Sequence, residues 1–177
     1  MTTPHDIAIL RLDAAEAQEA IPALADILAD AVTGGASVGF MAWDTPADYA
    51  AFWSSVVDEV AAGRTILFAA RSGEDIVGTA QLQLIGKPNQ PHRAEIGKVL
   101  VHSRAWRRGV GEALMQAAEV AARQANRDLL VLDTDENGAA RRLYNRLGWT
   151  EAGTIPRYAL MPDGDDCGST FFYKQLA

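Results

Sequence analysis

Val99-Leu100-Val101-His102-Ser103-Arg104-Ala105-Trp106-Arg107-Arg108-Gly109-Val110-Gly111-Glu112-Ala113-Leu114 reads as a strand, a basic glycine turn and a helix. Consecutive β-branched and leucine residues suit a buried strand. Gly109 and Gly111 remove Cβ where a backbone must pass close to another group. The helix that follows opens with unpaired N–H groups and the positive end of its dipole. With Arg107 and Arg108 beside it, the turn is built to hold an anion such as a pyrophosphate. Two familiar nucleotide patterns fail here. The phosphate loop of nucleotide hydrolases requires Gly, four residues and then Gly-Lys-Ser/Thr, which the chain lacks. A dinucleotide fingerprint requires a third glycine where Leu114 stands.

Outward from this turn, Val110, Ala113, Leu114, Ala117, Val120 and Ala121 are expected to line the packed face of the helix, with Glu112, Gln116, Glu119 and Arg123 on the wet face. Residues 129–132 form a continuous apolar strand, so residues 99–133 make a right-handed parallel crossover. Asp133, Thr134 and Asp135 then lie past the carboxyl end of that strand, where ligands of open α/β sheets collect. Upstream, residues 64–71, 76–85 and 93–101 read as an antiparallel meander with turns at 72–75 and 87–89. Gly97 interrupts the last strand and predicts a bulge that frees a backbone N–H and C=O.

Residues 6–12 suit a first strand, and Asp13 with Glu16 resembles a capping box. The helix it opens carries Ile21, Leu24, Leu28 and Val32 at helical spacing, is expected to start or kink at Pro22, and stops at Gly34 and Gly35. Thr45-Pro46 opens a second helix that buries Tyr49, Phe52, Trp53, Val56 and Val60 and ends at Gly63. Residues 149–160 and 170–175 suit a closing antiparallel pair joined by an acidic turn over 161–168.

Residues 34–43 are apolar and glycine-rich, with no charge, which suits a closing wall better than a solvent loop. Within them Gly35-Ala36-Ser37-Val38-Gly39 matches the nucleophile elbow of serine hydrolases. An elbow needs a strand before, a helix after, and an acid then a histidine downstream; this serine follows a helix, and only His92 and His102 lie beyond it.

The 177 residues, 49% apolar and 22% charged, fit a single domain spanning 1–177. A net charge of −7 argues against nucleic acid or an anionic membrane as partner and mildly favours a cationic amine. Cys167 is the lone cysteine, so no intramolecular disulfide forms. No run reaches the length of a membrane span and the N-terminus lacks a signal pattern, so a cytoplasmic protein is expected, with monomer and homodimer both open. His5, His92 and His102 show no ligand spacing, and no metal is expected.

The run Trp106-Arg107-Arg108-Gly109-Val110-Gly111 resembles the acyl-CoA signature Arg/Gln-x-x-Gly-x-Gly/Ala of the GCN5-related N-acetyltransferases, with Trp106 at the Arg/Gln position. Asn137, Ala140, Leu143, Tyr144, Gly148 and Trp149 match a second block of that family. The resemblance implies an α/β fold: a mixed, mostly antiparallel seven-stranded sheet splayed between its fourth and fifth strands, flanked by about four helices. It implies acetyl-CoA as co-substrate in the gap, touched by Val99, Leu100, Val101, Arg107, Arg108, Gly109, Val110, Gly111, Glu112, Asn137 and Tyr144. Further stretches are similar to the tabtoxin-resistance branch of the family, which acetylates the amine of a dipeptide toxin. These are residues 34–42, Lys87-Pro88-Asn89, His92-Arg93-Ala94-Glu95, Leu132-Asp133-Thr134 and Pro162-Asp163-Gly164. That likeness implies a small-molecule amine acceptor, such as a toxin or antibiotic, held near Ser37, Phe40, Glu95 and Asp133.

Aminolysis of a thioester needs a neutral amine, a stabilised oxyanion and a proton for the departing thiolate. The resemblance makes Tyr144 the acid; by residue type alone it also fits a core stripe with Ala140, Leu143 and Leu147. Glu95 stands inside an apolar strand, where burial would raise its pKa towards a useful base, or it faces solvent. Asp133 is the other candidate base. Asn137 either caps a helix or meets the pantetheine arm. Acetylation of a peptide or protein amine, and a CoA-binding regulatory module without catalysis, are the competing readings.

Overall fold

The computed structural model describes residues 7–176. Asp6, read above as the start of a strand, and His5, read as lacking ligand spacing, lie outside them. The chain runs β1 (Ile7–Leu12), α1 (Ala14–Thr33), α2 (Pro46–Ala61), β2 (Thr65–Ser72), β3 (Asp75–Leu84), β4 (Arg93–Val101), a 3₁₀ turn (Ser103–Ala105), α3 (Val110–Gln124), β5 (Leu129–Asp135), α4 (Ala140–Arg146), β6 (Thr150–Leu160) and β7 (Asp166–Gln175). The seven strands form one sheet in the order β1-β2-β3-β4-β5-β7-β6, in which only β4 and β5 run parallel.

Both early helices start as their sequences dictate. Asp13 accepts from the Glu16 N–H at 2.8 Å while Glu16 accepts from the Asp13 N–H at 2.9 Å, and Thr45 with Asp48 repeats this box ahead of Pro46. Pro22 neither starts nor ends α1 but lies inside it. The lost hydrogen bond costs about 3 kcal/mol. Burial of Ala17, Ile21, Leu24, Ile27 and Leu28 on the sheet outweighs that, since each large apolar side chain contributes about 1.5–3 kcal/mol.

The sheet separates two cores. On one face α1 and α2 pack Leu24, Leu28 and Trp53 against Leu67, Ala69 and Leu100. On the other, α3 and α4 pack Leu114, Met115, Ala118 and Tyr144 against Phe68, Leu82, Ile96, Leu132 and Phe172. The seated face of α3 is rotated from the one expected. Val120 is 53% exposed and Glu119 only 9%. Glu119 is held inside because Lys174 Nζ lies 2.8 Å from both its carboxylate oxygens and Trp149 Nε1 donates at 3.1 Å. An acid on a polar face is thus an internal anchor between α3 and β7.

Two further boundaries move. β5 continues through Asp135, paired with β7, so Asp133 is a strand residue rather than one beyond the strand end. β7 begins at Asp166, because the backbone of Asp166 and Cys167 pairs with Leu160 and Ala159; the connecting turn is shorter than 161–168. No helix of the described residues is long and apolar enough to cross a membrane.

Candidate active site

The parallel pairing of β4 with β5 covers only Arg93↔Leu129, Ala94↔Leu130 and Glu95↔Val131. Past Glu95 the strands part, and β5 keeps its bonds to β7 alone. β4 also carries a bulge: Thr79 faces Leu100 and Gln81 faces Gly97, so one β4 residue is extra, and Lys98 takes φ 48°. The irregularity expected at Gly97 therefore centres one residue later. The sheet opens a cleft whose banks are the inner edges of residues 96–101 and 132–135.

At one mouth of the cleft stands the basic glycine turn. The 3₁₀ turn ahead of it is pinned to α1, since Asp30 accepts from the Ser103 N–H at 2.8 Å and Oγ at 2.7 Å, and His102 is paired with Asp26 in the same cluster. Arg107 and Gly109 have φ 61° and 77°, the left-handed region that suits glycine at 109. Gly111 serves packing instead: a Cβ there would stand 3.2 Å from Leu143 Cδ2. The N–H groups of Arg107, Arg108, Gly109, Val110, Gly111 and Glu112 have no acceptor among the described residues. Such a row of free donors at a helix N-terminus matches a pyrophosphate. Trp106 is 59% exposed and its Nε1 donates to the Val101 carbonyl at 2.8 Å, tying the turn to the end of β4. Arg108 reaches Ser72 Oγ at 3.0 Å and Glu112 pairs with Arg146 at 3.2 Å. Leu100 buries its side chain in the α1–α2 core and Val99 and Val101 lean on the opposite core, so these three offer the cleft only backbone.

Tyr144 projects from α4 into the same end. It is buried against Phe172 and Trp149, with ring centres 5.6 and 6.2 Å away. Burial, and secondarily the charge of Asp133, push its phenol well above the ordinary tyrosine value, so it keeps its proton. The core-aromatic reading describes this residue's packing, and the retained proton leaves the phenol a donor group. Asn137 does not cap α4: the cap is Ala139, and the Asn137 N–H donates to Asp135 Oδ1 at 2.8 Å in a turn that leaves the side chain exposed.

The other mouth lies on the α1–α2 face. Asp133 faces it and accepts from Ser169 Oγ at 2.6 Å. Of the two settings open to Glu95, the structure shows the more exposed one: its side chain is 42% exposed and paired with Arg93 at 2.6 Å. Phe40 packs edge-to-face on Tyr49 and Phe52, with centres 5.2 and 5.5 Å apart. Ser37 belongs to the connection between two helices, as no elbow serine does, and donates to the Leu160 carbonyl at 2.7 Å. The Ala42 N–H donates to the Pro162 carbonyl at 2.9 Å. These two bonds fasten residues 34–44 to the β6–β7 turn as a wall. No group of three His, Cys, Asp or Glu suited to a metal occurs among the described residues.

A model of the acetyltransferase (GNAT) family matches residues 21–149, more than half of the chain. The chain belongs to that family. Known acetyltransferase structures share the whole architecture. An N-acetyltransferase from Staphylococcus aureus Mu50 superposes with a TM-score of 0.80 at 19% identity, over 97% of this chain and 99% of the other. The Salmonella typhimurium protein yncA, solved with its cofactor acetyl-CoA, gives 0.78 at 20% over 97% and 95%. A ribosomal-protein-alanine N-acetyltransferase from Brucella melitensis gives 0.79 at 23% over 96% and 99%. At these identities the likeness is one of fold.

The acetyltransferase cleft also contains residues the sequence did not bring forward. Lys98 Nζ lies 5.2 Å from the centre of the Phe52 ring, and Phe171 stands directly opposite Asp133 with Tyr158 edge-on at 5.3 Å. Phe52 looked like one more residue of a core stripe. A lysine in the middle of an apolar strand, one residue past a glycine, was the available signal for Lys98.

Proposed function

We propose that this acetyltransferase moves an acetyl group by direct transfer from acetyl-CoA to the amine of a small molecule, with a toxin, antibiotic or dipeptide-like metabolite as the acceptor class. The observation that supports this is the walled acceptor mouth: residues 34–44, fastened by Ser37 to Leu160 and by Ala42 to Pro162, form a fixed wall that favours a small acceptor over a long peptide. The free amides from Arg107 to Glu112 would hold the pyrophosphate, and the unpaired inner edge of β4 at Val99, Leu100 and Val101 would hold the pantetheine amides, with the exposed Asn137 near the arm.

Acetyl-CoA supplies an activated carbonyl on a good leaving group. The chain supplies the proton traffic. Asp133 attracts the ammonium form of the acceptor and takes its proton, directly or through water, leaving the amine neutral. Asp133 suits this better than Glu95, because Arg93 already pairs with Glu95. As the new C–N bond forms and the C–S bond breaks, the sulfur takes the leaving electron pair. Tyr144, kept protonated by its surroundings, gives its proton to that sulfur and is reprotonated from the amine nitrogen through solvent.

Thermal melting with and without acetyl-CoA, followed by thiol release across amines, amino acids and dipeptides, tests the proposal. Binding to the native state raises the melting temperature by mass action. A shift with release on small amines supports it. A shift with release only on peptides or proteins replaces it with the peptide reading, and a shift without release on any amine replaces it with a regulatory CoA-binding module. No shift at saturating acetyl-CoA removes the cofactor site itself.

A further inference from the structure

The acceptor mouth contains a cation that the transfer chemistry leaves without a task. Lys98 stands at the β4 bulge with φ 48°, a setting unfavourable to a residue that carries a side chain. The bulge breaks the alternation of β4 and sends the ammonium to the α1–α2 side, over the Phe52 ring. There its Nζ lies 3.7 Å from the point where a Cβ on Gly39 would stand. The Lys98 ammonium makes no ion pair or hydrogen bond with a described residue, whereas the guanidinium of Arg93 on the same strand is engaged by both Glu95 and Gln90. Burial holds its pKa below the ordinary lysine value, and the only carboxylate that opposes this is Asp133, across the cleft and beyond contact.

An ammonium withdrawn from water with only an aromatic face as close partner is a costly arrangement in the free protein. It becomes favourable when an anion arrives. Asp133 and Lys98 set opposite charges on opposite banks of the cleft, with Phe40 and Phe52 on one flank and Phe171 and Tyr158 on the other.

We propose that Lys98 receives an anionic group of the acceptor, so that the acceptor is a small zwitterion. Its amine is drawn to Asp133, its carboxylate or an equivalent oxyanion to Lys98, and its apolar part to the aromatic walls. An amino-acid-like molecule meets all three conditions. The inference rests on the acetyl transfer proposed above and deepens it by naming what the acceptor must carry besides its amine.

The test is steady-state thiol release by the full chain on matched series of α-amino acids, their α-amides and the corresponding amines without a carboxyl group. One charge-assisted contact predicts a wild-type KM lower for the acid than for the amide by about 10–100-fold. In Lys98→Met the acid-to-amide ratio falls to near one, and in Lys98→Arg most of the preference returns. Melting of both variants at or above the wild-type temperature shows that they fold. Release on amides with no preference for acids overturns the Lys98 inference and leaves acetyl transfer standing. So does a ratio that Lys98→Met does not change. Absence of release on every amine overturns both.

Discussion

Gly78→Ala links the packing of the sheet to the cofactor turn. Gly78 lies on β3 opposite Val101, under the first turn of α3. A Cβ there would stand 2.9 Å from Val110 Cγ1, 3.1 Å from the Leu100 carbonyl oxygen and 3.2 Å from Leu114 Cδ1. Carbon atoms sit comfortably at about 3.5–4.0 Å, so α3 must retreat by roughly 0.6 Å or more. The carbonyl belongs to the neighbouring strand and cannot turn aside. Overpacking of this kind costs about 1–3 kcal/mol. Reduced freedom of the unfolded chain returns about 0.4–1 kcal/mol. The net loss of about 1–2 kcal/mol lowers the melting temperature by about 2–8 °C for a chain of this length. Because Val110 opens the helix whose amides face the proposed pyrophosphate site, the same variant should bind acetyl-CoA more weakly. Melting with and without acetyl-CoA and calorimetric titration measure both effects. Gly86→Ala is the control: its Cβ meets nothing within 4 Å, so it should fall within about 0.5 kcal/mol of wild type. Equal melting and equal cofactor affinity in the two variants would refute the close fit of α3 on β3.

Tyr144→Phe should fold and lower kcat by about 10²-fold or more, as loss of a positioned acid does, measured by thiol release. Its raised pKa has a second consequence: above about pH 10, the ordinary tyrosine value, the unfolded chain ionises this phenol while the folded one resists, so stability falls with rising pH. Tyr144→Phe should remove that part of the alkaline loss in urea titrations. Lys174→Met leaves Glu119 with Trp149 alone and should cost about 2–4 kcal/mol by urea unfolding; the double variant Lys174→Met with Glu119→Leu should regain much of it. Gly97→Ala places a methyl where nothing stands within 4 Å, beside the opening of the sheet. It should melt like wild type yet lower kcat/KM, because the space it fills is where a ligand must lie.

Much of this was readable from residues whose local chemistry has one outcome. Thr45-Pro46, the Asp13–Glu16 box and the glycine turn at 109 fix their own backbone, and each stands where its neighbours alone would place it. The misreadings came where distant partners decide. Glu119 reads as wet from its own helix, but Lys174 reaches it from β7 and Trp149 from the residue before β6. Of the two readings open to Asn137, the cap fails because the N-cap of α4 is Ala139, two residues later. Between burial and exposure of Glu95 the sequence leaves the choice open, and Arg93, two positions back on the same strand face, pairs with its half-exposed carboxylate. Lys98 was passed over because its meaning depends on a bulge and on Phe52, contributed by another element.

The two cores lie on opposite faces of the sheet, and in the proposed reaction each would serve a different molecule. The α3–α4 side carries the turn and tyrosine assigned to the donor; the α1–α2 side carries the aromatic wall assigned to the acceptor. Substitutions in one layer can therefore be tolerated without disturbing the other. A lineage, or a directed-evolution library confined to residues 34–60, could retrain this scaffold for new amines while its donor half stays intact.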